Sequence, residues 1–449
     1  MDVKIASFLS EGLGHSSHLV DLGDGSALVI DPARLPTAQI DHATRVGLTL
    51  AYTADTHTHA DYISGSPDLV AGGATFFAPV AAGLVHPHQG VADGDVLALG
   101  RYSLEVIATP GHTPDHLAFL FTDDSGPLAL FSGGSLMVGT VGRTDLLGDD
   151  RREALARDLY EALRLRILTL PDDVVVYPTH GAGSFCSAPG GGERTTTIGR
   201  ERTTNPILAA GSEDEFVDRL LSGFGSFPPY FRRLPKVNQQ GVKHHATVPE
   251  LARLDVADVD RLLRDEAAVV VDARDVLHFA AGHVPGSLSI ELRPVFASWL
   301  GWLTALDQPV VFVLDDDQDE RDLVRQALTV GHDNLAGRLA GGLDAWTAAG
   351  RVVEATEIVE PSTVNWPLLD IRQGDEFAAG HVPGAAHVEL GALGETAVAV
   401  GPVATMCGKT ERAMTGASIL QRAGRGEVAV VRGGFTAWSA ISGNIPETA

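Results

Sequence analysis

The sequence predicts an α/β multidomain protein, and three observations carry that prediction. The chain has 449 residues, too many for one ordinary core, and at roughly 150 per domain it divides into about three. In its first half, short apolar runs of strand length repeatedly end in polar loops that carry histidines. In its second half, one strand and helix pattern occurs twice.

Composition narrows the class of function. Hydrophobic residues make up 44% and charged residues 20%, the balance of a soluble globular protein. Asp and Glu outnumber Lys and Arg by 58 to 33. No basic cluster interleaves with aromatics, which argues against nucleic acid or an anionic membrane as partner. No apolar window reaches bilayer length, and no basic segment leads an apolar core at the start, so a cytoplasmic protein is expected. Cys186 and Cys407 lie far apart and form no CxxC pair. Neither a disulfide framework nor a cysteine zinc ribbon is expected, and a cysteine that matters here matters as a thiol.

Taken in order, residues 15–31 read as two strands around the turn Asp21-Leu22-Gly23-Asp24-Gly25, the second ending at Asp31-Pro32. A mixed segment to Arg45 reads as a helix, and residues 48–52 as a strand. That strand delivers Thr56-His57-Thr58-His59-Ala60-Asp61-Tyr62. Imidazoles at i and i+2 with a carboxylate two further on can face one point where the backbone turns, which is a metal-site signature. A helix is expected over 62–71 and a strand at Phe76-Phe77. Strands over 96–99 and 104–108 follow, the second presenting His112. Residues 117–121 and 128–131 read as buried strands. Leu155, Leu159, Leu163 and Ile167, four apart, predict a helix within 149–168. The strand 174–177 presents His180. His57, His59, His112 and His180 thus occupy loops at strand ends, and with Asp61 they form a donor set that suits zinc and iron(II) alike. Residues 189–205 and the aromatic, proline-rich 224–231 read as appendages over the first domain's site or its edge. A helix-compatible stretch over 245–266, opening at Val248-Pro249, marks the boundary, giving a first domain of residues 1–245.

The remainder is an internal repeat. Val271-Asp272-Ala273-Arg274 precedes Gly282-His283-Val284-Pro285-Gly286, as Leu369-Asp370-Ile371-Arg372 precedes Gly380-His381-Val382-Pro383-Gly384. The endings Gly341-Gly342-Leu343-Asp344-Ala345-Trp346 and Gly433-Gly434-Phe435-Thr436-Ala437-Trp438 match as well. A period of about 90 to 100 residues is too long for a solenoid unit, so these are two homologous α/β domains, 246–355 and 356–449.

In the second repeat the run Val403-Ala404-Thr405-Met406 stops at Cys407 and opens a loop into a helix. Such a turn makes a cradle of N–H donors that favours a thiolate and any persulfide on it. Lys409 and Arg412 add positive charge, and Glu411 opposes it. The plainer alternative is a buried cysteine at a strand end. The pattern of Asp-x-Arg, Gly-His-x-Pro-Gly, Cys-x-x-x-x-Arg and Gly-Gly-x-x-x-Trp resembles the rhodanese-like sulfurtransferases, which implies Cys407 as the sulfur carrier with Lys409 and Arg412 beside it. Counting back from Arg321 in the first repeat puts Asp316 where Cys407 stands, so that domain is expected to be catalytically silent and to serve as a spacer or docking face.

The first domain resembles the metallo-β-lactamase fold, and within it the persulfide dioxygenase and hydroxyacylglutathione hydrolase branch. The resemblance rests on Thr56-His57-Thr58-His59-Ala60-Asp61, Gly111-His112-Thr113-Pro114, Gly142-Arg143-Thr144-Asp145, Tyr177-Pro178-Thr179-His180 and Asn205-Pro206. It implies an αββα sandwich followed by two rhodanese-like domains, an arrangement similar to bacterial fusion enzymes that handle persulfides during sulfide detoxification. Two positions depart from it. Tyr62 stands where the family has a further His, and Phe131-Ser132-Gly133-Gly134 replaces a segment that ends in a ligating Asp. A two-metal hydrolase is therefore not expected. The resemblance places single-metal ligands at His57, His112 and the missing Asp, and His59 would fill in to make a three-histidine site, with Asp61 supporting it or reaching the metal. The cofactor is one Fe(II) or Zn(II), or none. The leading expectation is a sulfur-handling fusion protein that moves sulfane sulfur through a Cys407 persulfide, with a low-molecular-weight thiol, persulfide or thiosulfate as partner and a homodimer as its assembly. The alternatives are a mononuclear zinc thioester or ester hydrolase, and a first domain that binds without turnover.

Overall fold

Alternation along the strands of the first unit sorts each side chain to one of two faces. Leu28 and Ile30 point into a core shared with Phe77, Val106, Phe119, Phe121 and Phe131, while Ala27 and Val29 point the other way, against Leu19, Ala43 and Leu69. The computed structural model describes residues 3–186, 192–398, 400–441 and 443–448, so residues 189–191 of the Gly- and Thr-rich appendage lie outside the described residues. One sheet orders Lys4–Ser10, His15–Asp21, Ser26–Ile30, Thr49–Ala54, Thr75–Pro79 and Gln89–Val91 as they occur in the chain, antiparallel through the third strand and parallel after it. The other runs Val96–Leu99, Tyr102–Ala108, Leu117–Asp123, Gly126–Gly133, Val175–Pro178 and Thr196–Thr197, with Val175–Pro178 parallel to Gly126–Gly133. Helices Thr37–Val46 and Ser66–Ala71 cover the first sheet through Ala43 and Leu69. Helices Arg152–Ala162 and Glu213–Ser222 cover the second, packing Ala156, Leu159, Phe216 and Leu220 on Ile107, Leu120 and Leu130. The result is the expected αββα sandwich. Each fully buried Phe contributes about 1.5–3 kcal/mol, so the matching of two apolar faces holds the layers together.

Several elements differ from the sequence reading. The helix expected over 62–71 begins only at Ser66, because Gly65 is pinned by its N–H to Pro32 O, 2.7 Å away, and a Cβ there would lie 2.2 Å from Ala33 O. The helix expected from 149 covers Arg152–Ala162 and runs on as a π-turn over Leu163–Ile167. Lys4–Ser10, a half-exposed edge strand, has too weak an apolar pattern to be read from sequence. The stretch 245–252 is not helical. The helix starts at Val256, where Asp255 accepts the Asp258 N–H at 2.8 Å in a reciprocal capping box.

Two compact units are present, Met1–Val248 with Leu328–Gly331 and Pro249–Ala327 with His332–Ala449. The second holds two five-stranded parallel sheets of the same order. One runs Arg253–Leu254, Leu335–Leu339, Val310–Val313, Val269–Asp272, Leu288–Ser289, and the other Glu357–Val359, Val428–Val431, Val403–Met406, Leu368–Asp370, Ala386–His387. Their registers correct one expectation. Asp272 pairs with Val313 and Asp370 with Met406, so the residue in the cysteine's place is Leu314, not Asp316. Counting back from Arg321 assumed equal loops, whereas the loop before Glu320 is two residues longer than that before Glu411. In that longer loop Gln318 accepts the Asp315 N–H at 2.9 Å and donates to Ala273 O at 2.7 Å, while Asp316 is fully exposed. No helix among the described residues is long and apolar enough to cross a membrane.

Candidate functional site

Strands ending at Ala54, Ala108, Gly133 and Pro178 send their loops to one edge of the sandwich, where the histidines gather. One ring nitrogen each of His57, His112 and His180 lies within 4.8 Å of the others, and His180 is grouped in the same way with His59 and Asp61. The third imidazole beside His57 and His112 is therefore His180, where the sequence reading had His59. The His59 ring is turned toward Asp31, whose Oδ1 lies 3.2 Å from its Nε2.

Neighbouring groups fix which nitrogen of each ring carries a lone pair. Thr56 Oγ1 donates to Asp31 Oδ2 at 2.8 Å, so it accepts from His57 Nδ1, also at 2.8 Å, and Nε2 of His57 is left bare. His112 Nδ1 donates to Arg143 O at 2.8 Å, since a carbonyl only accepts, which bares its Nε2. The Asp31 carboxylate accepts a hydrogen bond from Nε2 of His59, whose other ring nitrogen is Nδ1. These three nitrogens, both ring nitrogens of His180 and both carboxylate oxygens of Asp61 are buried without a hydrogen-bond partner. Each such orphan costs about 1–3 kcal/mol. His57, His112 and His180 form one group of possible cation donors and His59, Asp61 and His180 a second, so the residues present fit a cation.

The electrostatics agree. Burial, with the neighbouring imidazoles, holds His57 and His180 well below the ordinary histidine value, and burial lowers His112 to about 4, so all three are neutral near neutral pH. Burial also lowers His59, but the charge and hydrogen bond of Asp31 outweigh it and the net shift is upward. Burial pushes Asp61 up to about 6 against the pull of His59. Asp31 is held at about 2: burial raises it, and His59, Thr179 and Thr56 more than reverse that. Asp31 went unnoticed in the sequence, where Asp-Pro after a strand reads as a turn. Its left-handed φ of 51° was the one signal of special geometry, and that is visible only in three dimensions.

The surrounding segments brace this pocket. Arg143 is buried, paired through Nε and Nη2 with Asp145 at 2.7 and 2.8 Å, and its guanidinium lies against the Phe224 and Phe227 rings at 5.1 and 4.4 Å. The aromatic segment therefore covers the residue whose carbonyl orients His112. Cys186 is wholly buried beside the Asp61 carboxylate without a well-formed hydrogen bond to it, and burial pushes its thiol well up.

The second candidate site begins where the strand Val403–Met406 ends. Cys407 Sγ accepts the Ala413 N–H at 3.3 Å in the first turn of the helix Glu411–Arg422. Burial pushes the thiol above its ordinary value. Arg412 and the N–H groups of Ala413 and Lys409 pull the other way without prevailing, so the cradle alone does not yield the thiolate expected from the sequence. Arg412 is gripped by both oxygens of Glu376, at 2.6 and 2.7 Å, and Lys409 is exposed. Glu411 accepts the Thr410 N–H at 3.1 Å. The closing motif holds the loop from behind: Phe435 N–H donates to Cys407 O at 2.7 Å and Gly433 N–H to Thr410 Oγ1 at 3.0 Å. Gly434 has φ +56°, and a Cβ there would lie 2.2 Å from Cys407 O and 2.1 Å from Lys409 O. Asp370 and Arg372, buried and paired at 2.6 Å, repeat the geometry of Asp272 and Arg274.

Known proteins give the geometry its context. A family model for the rhodanese-like domain matches residues 255–349 and 354–441. Over 204 residues the chain is 35% identical to the Homo sapiens protein named persulfide dioxygenase ETHE1, mitochondrial, covering 72% of that protein and 44% of this chain. The chain belongs to the ETHE1 persulfide dioxygenase family. It is also 40% identical over 166 residues to a hydroxyacylglutathione hydrolase of Synechococcus, covering 62% of that protein and 34% of this chain. A crystal structure described as a metallo-beta-lactamase from Staphylococcus aureus aligns with a TM-score of 0.66 at 29% identity, over 99% of that chain and 76% of this one. An ETHE1-like region of metallo-β-lactamase fold is thus joined to two rhodanese-like domains, and both parts belong to sulfur metabolism.

Both departures from the family pattern have a structural consequence. Tyr62 is wholly buried and stacked on His59 at 4.3 Å, with its hydroxyl 3.1 Å from His59 Nε2 and 3.3 Å from Asp31 O. It buttresses a ring that the family places beside a further imidazole. At Gly134 a Cβ would lie 2.4 Å from His112 Cδ2, so the His112 ring fills the space from which a carboxylate would reach.

Proposed function

We propose that the chain transfers sulfane sulfur through a persulfide on Cys407, with residues 1–245 as a dioxygenase-like domain, 246–355 as a cysteine-free rhodanese-like domain and 356–449 as the sulfurtransferase domain. The observation that carries this reading is Cys407 at the head of its helix, with Sγ 3.3 Å from the Ala413 N–H. With thiosulfate as donor, Cys407 Sγ bonds to the outer sulfur, the S–S bond of the donor breaks, and its electron pair leaves with sulfite, which takes up the thiol proton. The persulfide terminus is an anion in the same cradle of N–H donors, which stabilises it after the thiol proton has gone. A low-molecular-weight thiol then accepts the sulfur, and the Cys407 thiol returns. Arg412, fixed by Glu376, orders the loop, and Lys409 faces solvent beside it.

In the first domain, His57, His112 and His180 would hold one Fe(II) or Zn(II), with His59 and Asp61 alongside. Iron would supply oxygen chemistry on a persulfide sulfur. Thr56 and Arg143 O keep His57 and His112 in tautomers that leave Nε2 bare, and Asp31 and Tyr62 keep the His59 ring in place. The absence of a carboxylate at Gly134 favours a second reading, a mononuclear zinc hydrolase, since a three-imidazole set also suits catalytic zinc. Metal analysis of anaerobically prepared protein separates the two: iron with O₂ uptake supports the first, zinc with O₂-independent hydrolysis the second. For Cys407 the test is sulfite release from thiosulfate in the presence of a thiol. The wild-type chain releases it and Cys407→Ser does not. Equal release by both sinks the transferase reading.

A further inference from the structure

The first rhodanese-like repeat has Leu314 in the cysteine's place, yet it lies along the helix that carries the Cys407 loop of the second. Gly286 O accepts from Arg422 Nη1 at 2.9 Å, and Ser289 N–H donates to Ser418 Oγ at 3.0 Å. As this segment runs forward, its contacts step back along Glu411–Arg422 toward the helix N-terminus. Beyond Ser289 the N–H groups of Ile290 and Leu292 donate to Asp272 O and Ala273 O at 3.0 and 2.9 Å, and the chain bends at Leu292 and Arg293. The charges agree, for Glu411 feels both Arg293 and Lys409, and Glu291 feels Arg293 and Glu411.

Arg293 is half-buried, and among the described residues its guanidinium has no hydrogen-bond or ion-pair partner. Arg412, the cation within the loop motif, is already held by Glu376. Two carboxylates, Glu291 and Glu411, sit at the same place and oppose the approach of a dianion. A planar fork there matches a pair of sulfonate oxygens.

We propose that Arg293, on the cysteine-free repeat, binds the sulfonate oxygens of an anionic sulfane donor such as thiosulfate at the mouth of the Cys407 loop and so sets donor specificity. This rests on the reading of Cys407 as sulfur acceptor. The donor's outer sulfur bonds to Cys407 Sγ, the donor S–S electron pair leaves with sulfite, and Arg293 holds the same oxygens before and after.

The experiment is steady-state sulfite release by the full chain over a range of thiosulfate concentrations, for the wild type, Arg293→Ala and Arg293→Lys. Loss of a charged hydrogen-bonding partner predicts a KM about tenfold higher for Arg293→Ala. The kcat stays near wild type, because Cys407 is untouched. Arg293→Lys, which keeps the charge without the fork, gives an intermediate KM and carries the test if the alanine variant does not fold. A folded Arg293→Ala with wild-type KM overturns the proposal while leaving the Cys407 reading intact. A wild-type chain that releases no sulfite and gains no sulfur on Cys407 overturns that reading, and the role of Arg293 with it.

Discussion

Asp31 and His59 face each other across 3.2 Å with both side chains wholly buried. The same carboxylate receives the Thr56 N–H at 2.7 Å and the hydroxyls of Thr56 and Thr179, so one residue at the end of a strand ties the His57 loop to the His180 loop. Removing it strands a buried imidazole and frees the Thr56 hydroxyl that fixes His57. Asp31→Ala is expected to lower unfolding free energy by about 3–5 kcal/mol, the cost of breaking a buried charge pair. Bound metal should fall in parallel. Chemical unfolding and metal stoichiometry check this, and an unchanged stoichiometry would show that Asp31 does not organise the pocket.

Gly134→Asp looks like a repair of the family pattern. With the first side-chain carbon 2.4 Å from His112 Cδ2, it has to displace that ring. The expected outcome is a loss of about 1–3 kcal/mol from overpacking and less bound metal, not more. Thermal unfolding and metal content measure both. A gain in metal with unchanged stability would mean that the His112 loop yields freely.

Gly434→Ala places a Cβ on the carbonyls of Cys407 and Lys409 in a backbone conformation that glycine tolerates best. It should cost more than about 1 kcal/mol and cut sulfur transfer more steeply than stability, since the atoms displaced belong to the Cys407 loop. Comparing sulfite release with the unfolding midpoint separates the two effects. Full transfer in a variant of normal stability would contradict the bracing role.

Cys407 has a definite pH signature. Burial holds its thiol above the ordinary value, so the thiol form dominates near neutrality and the reactive thiolate grows as pH rises. Alkylation of Cys407 should accelerate about tenfold per pH unit from about pH 7 to about pH 9, with no plateau in that span. A plateau below about pH 8 would mean that the N–H cradle and Arg412 outweigh burial after all.

Local patterns were legible in the sequence. The spacing of His57, His59 and Asp61 after a strand, the two Asp-x-Arg to Gly-Gly-x-x-x-Trp repeats, and the four-residue rhythm from Leu155 to Ile167 each rest on neighbouring residues in one element. What escaped depends on registers and partners far apart in the chain. Leu314 rather than Asp316 occupies the cysteine's place because strand pairing, not distance from Arg321, sets the alignment. His180 rather than His59 joins His57 and His112 because Asp31 turns the His59 ring aside. Arg293 acquires its setting only from the hydrogen bonds that lay its segment along a helix more than a hundred residues later.

The central claim is that Cys407 carries sulfur, and the most direct measurement is peptide-level mass spectrometry of the full chain after brief exposure to thiosulfate, with subsequent thiol treatment. One added sulfur is expected on the Cys407 peptide, removed by the thiol, and none on the Cys186 peptide, whose thiol is buried in the first unit. An unmodified Cys407 in a folded chain, or added sulfur that persists in Cys407→Ser, would contradict it.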